Sequence, residues 1–272
     1  MTINCKGKLI DLSTPKVMGI LNITPDSFYD GRRFKDVSSI INQVEIMLNE
    51  GATFIDVGAY SSRPGADHVS ETEELNRIIP IVELLMNQFP EINLSIDTFR
   101  SEVANQCIKA GATMINDISA GKLDDKMIAT VGKLQVPFIM MHMKGSPQSM
   151  QQHTDYDCLV KDIIYYFSER IAKTRAHKII DVIIDPGFGF SKTLEQNYEL
   201  LSNLELLQLI EKPILVGVSR KSMIYKLLET SPEKALNGTT SLNTIALLKG
   251  AKILRVHDVK EAMECVNLIN QL

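Results

Sequence analysis

The sequence predicts an α/β protein built as a closed (β/α)8 barrel, a TIM barrel, and three observations point there. Eight short runs rich in β-branched residues alternate with stretches of helical periodicity. The chain has 272 residues, a length at which such a barrel of about 250 residues forms a single unit. Three helix-to-strand turns repeat one signature, Gly51-Ala52-Thr53, Gly111-Ala112-Thr113 and Gly250-Ala251-Lys252, in which Gly ends the helix and Ala packs closely before the strand. An open, doubly wound parallel sheet is the alternative that the same alternation allows.

In chain order, Ile3–Lys6 and Lys8–Leu12 around Gly7 read as a β-hairpin placed to cap the bottom of the barrel. The eight barrel strands are predicted at Val17–Ile23, Thr53–Gly58, Asn93–Thr98, Thr113–Ile118, Val136–His142, Asp181–Asp185, Pro213–Val218 and Lys252–His257. Between and after them, helices are predicted at Val37–Glu50, Glu71–Gln88, Ser101–Ala110, Leu123–Lys133, Cys158–Lys173, Glu195–Leu201, Thr240–Lys249 and Lys260–Asn270. Ser38-Ser39, Ser70 ahead of Glu73-Glu74, and Asp157 are the expected N-terminal caps, and Gly51, Gly111 and Gly250 the expected C-terminal stops. No linker, charge block or low-complexity segment divides the chain, which reads as one domain over 1–272 with the barrel proper from about 15 to 270.

Composition narrows the function. Hydrophobic residues make up 44% and charged residues 23%, which excludes a disordered, collagenous or coiled-coil protein. Lys and Arg number 29 against 33 Asp and Glu, and the formal charge of −4 gives no general attraction to nucleic acid or an acidic membrane. The four cysteines, Cys5, Cys107, Cys158 and Cys265, are far apart and form neither a disulfide framework nor a zinc knuckle. Met1 to Leu12 lacks the apolar run of a signal peptide, and no stretch reaches the roughly 18 apolar residues of a membrane span. A reduced cytoplasmic protein is expected.

Chemistry in a barrel gathers where the strands end, because the βα loops converge there above a packed interior. Here those ends carry Asn22, Asp56 with Ser61-Ser62-Arg63, Asp97, Asn116, Met141-His142, Asp185, Ser219-Arg220-Lys221, and Arg255 with His257. Asp97, Asn116 and Asp185 sit on otherwise apolar strands, and a buried carboxylate is costly unless donors meet it. Two carboxylates and an amide therefore suit a flat ligand with several N–H groups, such as an aminated heterocycle. The structural alternative pairs the Asp residues with Lys221 or Arg255. Arg255, His257, Arg63 and Lys221 form a cationic subset suited to a phosphate or diphosphate. His142, within Met140-Met141-His142-Met143, reads as a structural histidine. The long loops Thr24 to about Lys35 and Ala59 to Ser70 read as lids, and Phe188 and Phe190 offer rings to stack on a planar ligand. Neither a Gly-x-Gly-x-x-Gly fingerprint nor a Walker A sequence is present, which argues against nicotinamide and ATP chemistry.

Taken together the motifs resemble those of the dihydropteroate synthase family. Met18-Gly-Ile-Leu-Asn22-Ile-Thr-Pro-Asp-Ser-Phe28-Tyr-Asp30-Gly31 is similar to its first signature and Ser61-Ser-Arg-Pro-Gly65 to its second loop. The likeness continues through Ile96-Asp97-Thr98, Ile115-Asn116-Asp117, Met141-His-Met-Lys-Gly145 and Asp185-Pro-Gly-Phe-Gly-Phe190 to Ser219-Arg-Lys-Ser222 and Arg255-Val-His-Asp258. It covers the chain from about Met18, in order. Three positions depart from the family pattern: Arg32 where a second Gly is usual, Ser191 where Gly is frequent, and Ser62 where Thr is common.

The resemblance implies a sulfonamide-target transferase of folate synthesis. Its members join 4-aminobenzoate to 6-hydroxymethyl-7,8-dihydropterin diphosphate, releasing diphosphate and 7,8-dihydropteroate. It implies that Asp97, Asn116, Asp185 and Lys221 hold the pterin over Met141, and that Asn22, Arg255 and His257 receive the diphosphate with help from Ser62. Mg2+ would be bridged by Asn22 and Asp30. Phe28, Ser62, Arg63, Pro64, Phe190, Lys221 and Ser222 match positions around the aminobenzoate. Asp97, Asp185, Lys221, Arg255, His257 and Asp30 are the implied catalytic set. Loss of diphosphate from the carbon beside the pterin would come first and amine attack second, with no general base assigned. The family also implies small-molecule substrates, no nucleic-acid or membrane partner, and a homodimer. A pterin-binding methyltransferase-type barrel and an inactive folate-binding module are the competing readings. The first has no use for the Thr-Pro-Asp-Ser-Phe motif or the Arg255–His257 clamp, and the second predicts loss of residues that are present.

Overall fold

The computed structural model describes residues 1–23, 33–60 and 69–272. Two strands, β1 (Thr2–Cys5) and β2 (Lys8–Asp11), form an antiparallel hairpin, and eight parallel strands follow. These are β3 (Lys16–Asn22), β4 (Phe54–Gly58), β5 (Leu94–Asp97), β6 (Met114–Asp117), β7 (Phe138–Met141), β8 (Val182–Asp185), β9 (Ile214–Val216) and β10 (Ala251–Val256). The barrel closes where β10 pairs with β3, placing Arg255 beside Met18, and that closure overturns the open-sheet alternative. Every predicted barrel strand is present.

The side-chain period of two along these strands divides the interior. Val17, Ile55, Val57, Leu94, Ile96, Ile115, Phe138, Met140, Val182, Ile184, Ile214, Val216, Leu254 and Val256 belong to one apolar cluster with residues of the surrounding helices. Met18, Phe54, Met114, Ile139, Ile183, Leu215 and Ile253 belong to another, which they share with Ile3, Cys5, Ile10 and Leu12 of the N-terminal segment. The hairpin thus plugs the bottom, and two residues further along several strands the same face reaches the mouth.

The helices are α1 (Arg33–Asn49), α2 (Glu71–Gln88), α3 (Ser101–Lys109), α4 (Met127–Leu134), α5 (Leu159–Ala176), α6 (Leu194–Ser202), α7 (Ser222–Tyr225), α8 (Leu236–Leu248) and α9 (Val259–Ile269). Ser70 caps α2, its hydroxyl accepting from the Glu73 N–H at 3.2 Å. Two predicted caps are corrected. Ser38 and Ser39 lie exposed inside α1, which begins at Arg33, ahead of both. Asp157 precedes the cap of α5, which is Cys158 without a side-chain bond.

Helix α4 starts later than predicted because carboxylates turn the chain before it. Asp117 accepts from the N–H groups of Ser119 and Gly121, and Asp124 from those of Ser101 and Lys126. A 3-10 segment over Leu204–Ile210, which periodicity did not predict, buries Leu204 and Leu207. Gly51, Gly111 and Gly250 all take left-handed φ, at 105°, 123° and 96°, as the repeated turn requires.

Candidate functional site

The barrel register brings the strand ends to one rim. Gly58 lies beside Asp97, Asp97 beside Asn116, and Met141 beside Asp185. Asp97, Asn116, Met141, Asp185, Phe190, Lys221 and Arg255, all predicted site residues, line one cavity together with Ile118 and Gly217. Six strand ends or the loops that follow them contribute, as a convergent barrel mouth should.

The electrostatic centre is Arg255. Its Nε donates to Asp56 Oδ2 at 2.6 Å and its Nη2 to Asp97 Oδ2 at 2.8 Å. Asp56 is fully buried and also accepts from Asn116 Nδ2 at 3.0 Å. In the sequence Asp56 stands near a strand end with no role; the signal for one is a carboxylate inside the apolar run Phe54-Ile55-Asp56-Val57, and the structure sets it opposite Ser95, one layer below Asp97. Burial opposes the charge of Arg255, yet Asp56 and Asp97 outweigh it and hold the guanidinium protonated. Burial pushes the Asp97 carboxyl up to about 7, against the pull of Arg255 and with help from the nearby Asp56 charge. The structural pairing weighed from the sequence is therefore real for Asp97 and Arg255.

Asp185 and Lys221 form the second half. Burial raises the Asp185 pKa, while Lys221 and a 2.8 Å bond from the Gly187 N–H favour its charge. Burial lowers the Lys221 pKa to about 8, with Asp185 opposing. The Lys221 ammonium donates to the Phe188 carbonyl at 2.6 Å and stands 4.8 Å from the centre of the Phe190 ring. Arg220, at φ 55°, turns its guanidinium onto Asp258, with Nε at 3.0 Å from Oδ2. That ion pair ties the β9 loop to the end of β10. Next to it, the Ser219 hydroxyl is 3.0 Å from His257 Nδ1 and accepts from the His257 backbone N–H at 3.2 Å.

Not every predicted residue joins the cavity. Asn22 is exposed at the end of β3, Ser222 opens α7, and His257 is half-buried against Ser219; none of these three lines the cavity. Phe28, Asp30, Ser62, Arg63 and Pro64, with Arg32, lie outside the described residues. His142 is buried, edge-on to Tyr166 with ring centres 4.8 Å apart. It meets Lys192, a residue the sequence did not single out, at 3.1 Å.

Chemically, the cavity offers two acceptors, Asp97 and Asp185, an amide at Asn116, two cations, and apolar or aromatic faces at Met141, Ile118 and Phe190. That set matches a flat heterocycle with several N–H donors and an attached anion.

A sequence model of the pterin binding enzyme family matches residues 18–257. The dihydropteroate synthase of Escherichia coli (strain K12) is 42% identical over 271 residues, which cover 99% of this chain and 95% of that one. Among solved structures, the dihydropteroate synthase of Yersinia pestis in complex with a sulfonamide drug is similar with a TM-score of 0.93 at 42% identity, over 100% of this chain and 98% of that one. The dihydropteroate synthase of Xanthomonas albilineans with 4-aminobenzoic acid has a TM-score of 0.91 at 37% identity, over 99% of this chain and 97% of that one.

Proposed function

The chain belongs to the pterin binding enzyme family, among its dihydropteroate synthases, and we propose that the cavity at the barrel mouth is where its reaction takes place. The enzyme is a transferase of folate biosynthesis that joins 4-aminobenzoate to 6-hydroxymethyl-7,8-dihydropterin diphosphate and releases diphosphate. Whole-chain likeness to synthases displaces both the methyltransferase-type barrel and the inactive folate-binding module. One observation carries the placement: Asp97, Asn116, Asp185, Lys221 and Arg255, which come from five different strands or their loops, line the same cavity.

In this reading Asp97 and Asp185 accept from N–H groups at the edge of the pterin, Asn116 adds its amide, and the face of the ring rests on Met141. Carbon–oxygen cleavage next to the electron-rich ring leaves a stabilised cation, and the two carboxylates favour the charge that spreads into it. Lys221 holds the pterin beside Asp185, and Arg255 and His257 neutralise the departing diphosphate, for which Arg255 has only to share a guanidinium already fixed by Asp56. The amine of 4-aminobenzoate, held by Phe190, Ser222 and the loop residues Phe28, Ser62, Arg63 and Pro64, then attacks. Positioning supplies much of the rate, and no general base is assigned.

Mg2+ is the cofactor proposed. Among the described residues no cluster of His, Cys, Asp or Glu is arranged to hold a metal. The exposed amide of Asn22 at the rim still fits a hard cation that draws most of its oxygens from diphosphate and water, with Asp30 as the second protein ligand. When bound, the ion neutralises diphosphate charge. We also propose one domain and a cytoplasmic homodimer. Exposed Leu227, Leu228, Leu248 and Leu268 near the C-terminal end supply apolar surface for the dimer, and no helix among the described residues is long and apolar enough to cross a membrane.

The test is product formation from dihydropterin diphosphate and 4-aminobenzoate with Mg2+, with and without EDTA. Dihydropteroate and diphosphate released only with the metal are expected. Tight pterin-diphosphate binding without product would keep the cavity and overturn the proposed chemistry.

A further inference from the structure

The segment from Asp185 to Phe190 carries one acceptor and one aromatic face of the cavity, and something must hold it in place. Its backbone is unusual: Gly187 and Gly189 take left-handed φ, at 71° and 81°. A Cβ at Gly187 would come within 2.1 Å of the His142 carbonyl oxygen, so only glycine allows this approach to the end of β7. The left-handed residues turn successive carbonyls to opposite sides. The Phe188 carbonyl meets Lys221, while those of Gly187 and Phe190 meet Lys192, at 2.9 and 3.0 Å.

Lys192 is 4% exposed. Its third partner is His142 Nδ1 at 3.1 Å. Burial, and then the Lys192 charge, lowers the His142 pKa well below 6.5, which leaves Nδ1 free to accept. Two carbonyls and a ring nitrogen saturate the three protons of the ammonium. No carboxylate among the described residues is paired with it within ion-pair distance, although Asp185 is close enough to favour its charge. Burial lowers the Lys192 pKa to about 7, so keeping a lysine here carries an electrostatic cost that an apolar side chain would not.

We infer that Lys192 is a positioning residue of the active site: from behind the cavity its ammonium fastens the Asp185–Phe190 segment to the end of β7 and places a positive charge behind Asp185. The inference rests on the pterin reading of the cavity. Lys192 and Lys221 grip the same segment from opposite sides, and the two differ in role: Lys221 faces the ligand, whereas Lys192 acts only through the backbone and the field at Asp185. Three further contacts stitch the same seam. Ser191 Oγ accepts from the Lys144 N–H and donates to the Lys144 carbonyl, both at 2.9 Å, and the Gly189 N–H donates to Asn197 Oδ1 at 2.7 Å. None of these supplies a charge.

Lys192→Met keeps the length of the side chain and removes the ammonium. It should weaken pterin-diphosphate binding by calorimetry about 10-fold to 100-fold, the range expected for losing charged hydrogen bonds. The loss should shrink when the same change is made in Asp185→Asn protein, because the coupling runs through that carboxylate. Val131→Ala, on the buried face of α4, is the control: it should lower Tm and leave affinity unchanged. Should Lys192→Met not fold, His142→Phe removes the third acceptor at similar bulk, and a few-fold weaker affinity is expected. Wild-type affinity in the folded variant, or a loss fully additive with Asp185→Asn, overturns the role of Lys192 while the pocket reading stands. Failure of the unaltered protein to bind pterin diphosphate overturns the pocket reading and the inference together.

Discussion

The two ends of the barrel are built from the same strands and solve opposite problems. At the bottom, Met18, Phe54, Met114, Ile139, Ile183, Leu215 and Ile253 are sealed by the apolar residues of the hairpin. Two residues on, the same alternation brings Asn116, Met141, Asp185 and Arg255 to the mouth, where Asp97 and Lys221 join them, and places Asp56 just beneath it, bonded to Arg255. Phe54 is followed by Asp56, Met114 by Asn116, Ile183 by Asp185 and Ile253 by Arg255. The bottom gains stability from apolar burial and needs no particular partner. The mouth holds buried charges whose cost is offset by one another, by the neutral partners Asn116, Gly187 and Phe188, and, in the proposed reaction, by substrate. A single period-two pattern therefore encodes a stability half and a chemistry half.

The two ends differ most at Arg255. Arg255→Ala should lower kcat/KM by about 1,000-fold, through lost diphosphate stabilisation. It should also lower stability by about 3–5 kcal/mol, because Asp56 and Asp97 are left buried without their cation. Steady-state kinetics with thermal unfolding checks both, and near-normal kcat/KM would remove Arg255 from the chemistry. The bottom should behave otherwise. Leu12→Ala, at a fully buried position in the plug, should cost about 3 kcal/mol of stability and leave kcat/KM unchanged well below Tm. A parallel fall in activity would mean that the plug and the mouth are coupled.

How much of each half was legible follows from how local its signals are. Strand cores were readable because β-branched runs and alternation are properties of a few neighbouring residues. The glycines of the repeated turn were equally local. The start of α4 was not, since it depends on Asp124 reaching Ser101 across 23 positions. Within the mouth, Asp97, Asn116, Asp185 and Arg255 stood out as polar residues ending apolar strands, and family motifs assigned their roles. Asp56 lies one layer deeper, and its role depends on Arg255, 199 positions away. Lys192 is a lysine in a polar loop by sequence, and one of its three partners, His142, lies 50 positions away.

Asp185 tests whether the carboxylates at the mouth face a ligand. Asp185→Asn keeps the shape and should weaken pterin-diphosphate binding by about 1–3 kcal/mol, from one lost charge-assisted bond. Unchanged affinity by calorimetry would take Asp185 out of the pocket, and would leave its 2.8 Å bond to the Gly187 N–H as its only role.

The smallest effect separates the two ends by pH. Burial pushes the Asp97 carboxyl up to about 7 in the folded protein, above the value of about 3.9 in an unfolded chain. The folded state therefore holds this proton more tightly, and the stability it contributes is full below about pH 4 and lost as pH rises through 7. Ligand affinity runs the other way, because only the carboxylate accepts from a pterin N–H. Binding of dihydropteroate, which brings no diphosphate titration of its own, should tighten by up to about tenfold between pH 6 and pH 8. In Asp97→Asn both slopes should flatten, apart from what Asp185 contributes, whereas in Leu12→Ala both should persist on a lower baseline. An affinity slope that survives Asp97→Asn unchanged would assign the titration to another group and separate Asp97 from ligand recognition.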